Sequence, residues 1–154
     1  MNIFDYIDLS RICFVSEDNK IGALKKLVEH SRPCLYNSDD FLRETLEREK
    51  LLSTGLGFEL AFPHSKCDAV VDFFITIGIS PNGLEWEAFD GEAVKLIFLI
   101  GGVTEEQEKY LKILGALSTL VNNKENRTRL IQAKTPLEFY SIFNEIALSK
   151  KLTA

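Results

Sequence analysis

A chain of 154 residues, 45% hydrophobic and 27% charged, has the length and composition of one domain built around a sizeable core. Its net charge of −5 excludes the basic face that a nucleic-acid grip requires, so no nucleic-acid partner is expected. Cys13, Cys34 and Cys67 form no CxxC and no metal-ligand spacing, which excludes a disulfide framework and a zinc centre and points to a reducing, cytoplasmic compartment.

The first residues, "MNIFDYIDLSR", carry acids and no apolar h-region, so they do not read as a signal peptide. Residues 12–15 are a short apolar run rich in β-formers. Ile21, Leu24, Leu27 and Val28 then recur at helical spacing and predict a first helix ending near residues 31–33. His30 falls near that end, where the helix dipole favours a cation, and reads as a surface or capping residue. Asn37, Ser38 and Asp39 are N-cap types before a second helix with Phe41, Leu42 and Leu46 on one side.

The middle predicts strands over residues 56–62, 70–80 and 93–101, bounded by turn signals at "SPNG" (80–83) and "FDG" (89–91). The runs "VDFFITIGI" and "VKLIFLI" are apolar nearly throughout, as strands covered on both faces are. Residues 94–103 are too short to span a bilayer and contain Lys95, so no membrane insertion is expected. "TEEQ" (104–107) reads as a capping box before a long helix carrying Tyr110, Ile113, Leu114, Leu117, Leu120 and Val121. Asn122 and Asn123 break it, and a shorter helix follows. "TPLE" (135–138) combines a Thr cap, Pro at the first helical position and Glu at the capping-box position, opening a last amphipathic helix. The order β-α-α-β-β-β-α-α-α predicts an α/β fold, a central mixed sheet flanked by helices, in a single domain spanning residues 1–154.

Chemistry concentrates in "STGLGFELAFPHSK", residues 53–66. Proline usually stops ladder pairing, so Pro63 is expected to leave His64 at a strand terminus, where ligand sites of α/β folds tend to lie. Thr54, Gly55 and Gly57 precede it. Two glycines beside hydroxyl residues either aim backbone N–H groups at an anion or make a tight turn into the strand. Arg48 lies seven residues after Phe41, on the apolar stripe of the second helix. It either clamps a phosphate bidentately or serves as a C-terminal cation with its stem packed on the core. No GxSxG elbow is present for a serine hydrolase, and no GK[ST] for a nucleotide loop.

Arg48–Glu49 followed by "STGLGFELAFPHSK" resembles the type-2 enzyme IIA domains of the phosphoenolpyruvate-dependent sugar phosphotransferase system, the fructose/mannitol/nitrogen-regulatory class. "EWEAFDGEAVKLIFLI" and "EEQEKYLKILGALSTLV" look like that family's next strand and long helix, so the likeness covers about residues 3–147. The resemblance implies a mannitol-type IIA fold and a phosphocarrier without cofactors, weak as an enzyme on its own. It implies His64 as phosphoacceptor from the histidine-containing phosphocarrier protein, Arg48 as the phosphate-binding cation, and Thr54, Gly55 and Gly57 as the loop before the histidine strand. The next acceptor would be a cysteine of a IIB domain. Many members carry a second histidine where this chain has Tyr110, whose hydroxyl donates a hydrogen bond but cannot become a cation at neutral pH. The N-terminal layout looks closest to the nitrogen-regulatory subgroup, with a sugar-specific component as the alternative. A further alternative is an interaction module acting on a kinase or transporter, with phosphotransfer weak or lost.

Overall fold

The computed structural model describes residues 2–150. A 3-10 turn, Ile3–Tyr6, is capped by the side chain of Asn2, whose Oδ1 accepts the Phe4 N–H at 3.0 Å. It feeds β1 (Ile7–Phe14), which starts five residues before the apolar run that predicted it. The early half was invisible to periodicity because Asp8, Leu9 and Ser10 are exposed and the parallel pairing with the neighbouring strand skips between Ile7 and Ile12.

Local capping sets most helices. Asn19 accepts the Gly22 N–H at 2.7 Å and starts α1 (Lys20–His30), which buries Ala23, Leu24, Leu27 and Val28. Ile21 departs from the predicted face and is 52% exposed. Asn37 accepts the Asp40 N–H at 3.0 Å and starts α2 (Ser38–Leu51). Its buried stripe is Phe41, Thr45 and Glu49, with Leu42 and Leu46 half-buried beside it.

The segment 56–62 is not one strand. It is a hairpin of β2 (Gly55–Gly57) and β3 (Leu60–Ala61), turning through Phe58 and Glu59 at φ +58° and +68°. Two successive residues in the left-handed region match the twist of a two-residue hairpin, though Asn-Gly is the usual sequence for it. Here contacts from afar hold the turn: Asp90 Oδ2 accepts the Phe58 N–H at 2.9 Å, and Lys95 pairs with Glu59 at 3.0 Å. β4 (His64–Lys66) follows. β5 (Phe74–Leu84) runs through the predicted turn "SPNG", which is absorbed as an irregularity between the pairs Ile79–Leu96 and Leu84–Val94, with Gly83 at φ +82°. β6 is Val94–Gly102.

The "TEEQ" capping box does not form. α3 (Gln107–Val121) begins after Glu106 without a side-chain cap, and the Thr104 hydroxyl donates instead to Asp68 at 3.3 Å. α4 (Lys124–Ile131) is capped by Asn123, and α5 (Pro136–Ser149) by Thr135, which accepts the Glu138 N–H at 3.0 Å.

The strands form one mixed sheet in the order β1-β5-β6-β3-β2, with β4 also on β6. Alternation along the central strands builds two cores. Ile75, Ile77 and Ile79 of β5 with Leu96, Phe98 and Ile100 of β6 pack under α3, α4 and α5. Phe74, Ile97 and Leu99 pack under α1 and α2. Each such fully buried side chain contributes about 1.5–3 kcal/mol, so the sheet is a rigid platform. Gly101 lets β6 pass the Phe74 ring, since a Cβ there would lie 2.1 Å from Phe74 Cε1.

Candidate functional site

His64 stands at the edge of this platform. Pro63 interrupts the ladder but does not end it: Leu60 faces Leu96, and His64 faces Ile100 at the same offset. Proline is tolerated because β4 pairs with β6 alone among the described strands, and the Pro63 carbonyl still accepts the Ile100 N–H at 2.9 Å. His64 is therefore at a strand terminus as expected, but at the start of β4, which resumes the register of β3 beyond Pro63. Period-two alternation sends Leu60 and Phe62 into the core under α3, with Phe62 edge-on to Phe98 at 5.4 Å. The next side chain of that row, His64, meets Tyr110 of α3 with ring centroids 5.3 Å apart.

The His64 ring is fixed at one nitrogen. Nδ1 lies 3.0 Å from the Phe62 carbonyl oxygen, an acceptor only, so in the neutral ring Nδ1 carries the proton and Nε2 keeps the lone pair. Burial lowers the pKa of His64 below 6.5; the Phe62 carbonyl opposes this, and the Arg48 and Lys66 cations reinforce it. The neutral, nucleophilic form thus dominates at pH 7.

A cleft of about 410 Å³ opens beside the ring, lined by Glu44, Glu47, Arg48, Leu51, His64, Ser65 and Lys66. Arg48 comes from the last turn of α2. Its Nη1 donates to the Leu52 carbonyl at 2.8 Å, satisfying a helix-end acceptor. The structure thus brings Arg48 to His64 and gives it the C-terminal capping task as well. Lys66 adds a second cation, its Nζ 5.0 Å from the Tyr110 ring centroid. Two cations beside a neutral imidazole with a free Nε2 can hold an anionic group against a nucleophile.

Tyr110 is buried, and burial pushes its hydroxyl pKa up to about 12, so it stays a neutral phenol. Its contact with His64 is between rings. Thr54, Gly55 and Gly57 do not line this cleft. Gly55 approaches Ala88, whose Cα would lie 2.9 Å from an added Cβ, and its N–H donates to Ser53 Oγ at 3.1 Å. Gly57, at φ +100°, leaves room for the Asp90 carboxylate. The glycines serve packing against residues 85–92. Thr54 is buried against Glu49, which the motif contains but to which sequence reasoning gave no role; four residues after Thr45, it continues the buried row Phe41–Thr45–Glu49 of α2. His30 lies apart, its Nδ1 3.4 Å from the Ser10 carbonyl oxygen. The three cysteines are free, and burial raises the Cys13 thiol to about 11.

An NMR titration of the His64 ring is expected to give a midpoint below 6.5. A folded pKa below the unfolded one means that the unfolded chain binds the proton more readily. The associated stability is complete above about pH 6.5 and is lost as pH falls through the folded midpoint. Arg48→Ala, by removing a nearby cation, should move the midpoint upward. A wild-type midpoint above 6.5 would contradict the packing described.

A family model described as "Phosphoenolpyruvate-dependent sugar phosphotransferase system, EIIA 2" matches residues 7–146. The PTS system fructose-specific EIIABC component of Bacillus subtilis is 34% identical over 100 residues, 65% of this chain but 16% of that longer protein. The nitrogen regulatory protein IIA-Ntr of Neisseria meningitidis superposes with a TM-score of 0.85 at 24% identity, over 92% of this chain and 98% of that one. Enzyme IIAMTL in its complex with phosphorylated enzyme IIBMTL, from Escherichia coli, superposes with a TM-score of 0.79 at 17% identity, over 90% and 97% of the two chains. At such identities the likeness shows a shared fold, the mannitol-IIA fold expected from the sequence. No helix among the described residues is long and apolar enough to cross a membrane.

Proposed function

Because the chain belongs to the EIIA 2 family of the phosphoenolpyruvate-dependent sugar phosphotransferase system, we propose that it carries a phosphoryl group on His64, received from the histidine-containing phosphocarrier protein. The observation that carries this reading is the single anchored nitrogen. With Nδ1 bound to the Phe62 carbonyl, Nε2 is the nitrogen left to act as nucleophile, and the His64 side chain lines the cleft with Arg48 and Lys66. In the transfer a P–Nε2 bond forms as the donor's P–N bond breaks, and the donor imidazole leaves with the electron pair. Positive charge developing on the His64 ring is shared with the Phe62 carbonyl through the Nδ1 proton. Arg48 and Lys66 offset the negative charge on the equatorial oxygens. Aligning the reactants supplies most of the remaining acceleration.

The test is incubation with phosphoenolpyruvate, enzyme I and the phosphocarrier protein. The expected result is one acid-labile, base-stable phosphate per chain. No label from an active phosphocarrier would reject the carrier reading in favour of an interaction module in which Tyr110 replaces a needed histidine.

Within the family, the N-terminal layout supports a nitrogen-regulatory role, and the 34% identity to a fructose-specific component supports a sugar-specific one. The two differ in the next acceptor. Mixing the labelled protein with a fructose- or mannitol-type IIB domain should leave the phosphate on His64 for a regulator acting on a kinase or transporter. Rapid passage to the IIB cysteine would assign the sugar-specific role.

A further inference from the structure

Carboxylates are rarely buried unless fully paired. Glu49, at 6% exposure, is one that is. Its Oε1 accepts the Thr54 N–H at 2.9 Å and Lys20 Nζ at 3.0 Å, and its Oε2 accepts the Thr54 hydroxyl at 2.6 Å. The same hydroxyl oxygen accepts the indole N–H of the fully buried Trp86 at 3.2 Å. Three segments distant in sequence are tied at one point: the start of α1, the end of α2 with the chain leaving it, and the loop after β5. A buried ion pair stabilises little compared with an apolar replacement of equal volume, so such a network is better explained by the geometry it imposes.

The geometry imposed is that of Arg48. Helix α2 ends at Leu51, and Leu52 is extended at φ −163°. The chain then returns so that Thr54 hooks onto Glu49, and this fixes the peptide of Leu52 between them. The Leu52 carbonyl is the hydrogen-bond partner recorded for the Arg48 guanidinium, at 2.8 Å. An arginine side chain otherwise has much rotamer entropy to lose.

We infer that Glu49 is a positioning residue: through Thr54 and the Leu52 carbonyl it holds the Arg48 guanidinium in the His64 cleft. The inference rests on the phosphoryl-carrier reading of that cleft.

Single-turnover phosphorylation at increasing concentrations of the phosphorylated carrier protein tests it. Glu49→Gln is expected to lower the maximal rate by about tenfold or more, with the half-saturating carrier concentration unchanged, since a misplaced charge-stabilising group costs rate rather than docking. Thr54→Val should do the same and Thr54→Ser should restore the rate, which keeps the test intact should Glu49→Gln fail to fold. In an Arg48→Ala background, Glu49→Gln should have no further effect, because the path runs through Arg48. The Arg48 Nε–H resonance should also shift in Glu49→Gln and Thr54→Val. Wild-type maximal rates in both variants would overturn the inference, as would an equal fold-loss with and without Arg48. If the wild-type protein takes no label, the carrier reading fails instead; the Arg48 resonance then decides the positioning role, an unchanged resonance overturning it and a shift supporting it.

Discussion

His64→Ala is expected to take up no acid-labile phosphate under conditions that label the wild-type chain fully. The side chain is half-buried, and its recorded contacts are one hydrogen bond to the Phe62 carbonyl and the ring of Tyr110. Its removal should therefore cost no more than about 1–3 kcal/mol, and circular dichroism should show a folded protein. Loss of label without loss of fold separates a chemical role from a packing one. The other histidine, His30, sits at the far end of α1 against Ser10. Label persisting in His64→Ala would move the site elsewhere, and mapping the phosphate to His30 would say where.

The second large effect is expected from Arg48→Ala: a fall of about 10²–10³-fold in the maximal rate of phosphorylation, the loss typical when a preorganised donor to developing negative charge is removed. Its cost in stability is small by comparison. One hydrogen bond to the Leu52 carbonyl is worth about 0.5–1.5 kcal/mol, and a shift of this size lowers the melting temperature of a domain this long by a few degrees, roughly 2–6 °C. Arg48→Lys should recover part of the rate, since it keeps the charge without the planar fork. Rates at saturating carrier protein and thermal melts measured on the same samples check both halves. A variant that melts far lower and still transfers at the wild-type rate would make Arg48 a helix cap and nothing more.

Much of this was legible in the chain. Asn37 and Thr135, both cap candidates in the sequence, bond to an N–H three residues on, as Asn19 and Asn123 also do, so these four helix starts are short-range events. The apolar periods of α1, α3 and α5 and the dense runs of β5 and β6 follow from which faces must leave water. The "TEEQ" start of α3 was misread because Thr104 finds its partner in Asp68, far away in sequence. "SPNG" was misread because β6 keeps β5 paired beyond it. Such competition from distant groups has no local sign.

The site divides along the same line. By itself the sequence singled out the candidate acceptor and its candidate cation: two histidines in all, one of them after a proline in an apolar run, and an arginine at the end of a helix stripe. Only the tertiary structure decided that His64 opens a short edge strand in the register of β3, that its proton rests on Nδ1, and that Gly55 and Gly57 pack closely on Ala88 and Asp90. It also decided that Glu49, bonded to Thr54 at the start of the glycine turn, ties the end of α2 in place. The reason is reach. Caps and periodicity are settled among residues a turn apart, whereas the cleft exists only where α2 meets β4, with Tyr110 of α3 against the His64 ring, at the edge of a sheet whose pairing joins residues near 60 to residues near 96.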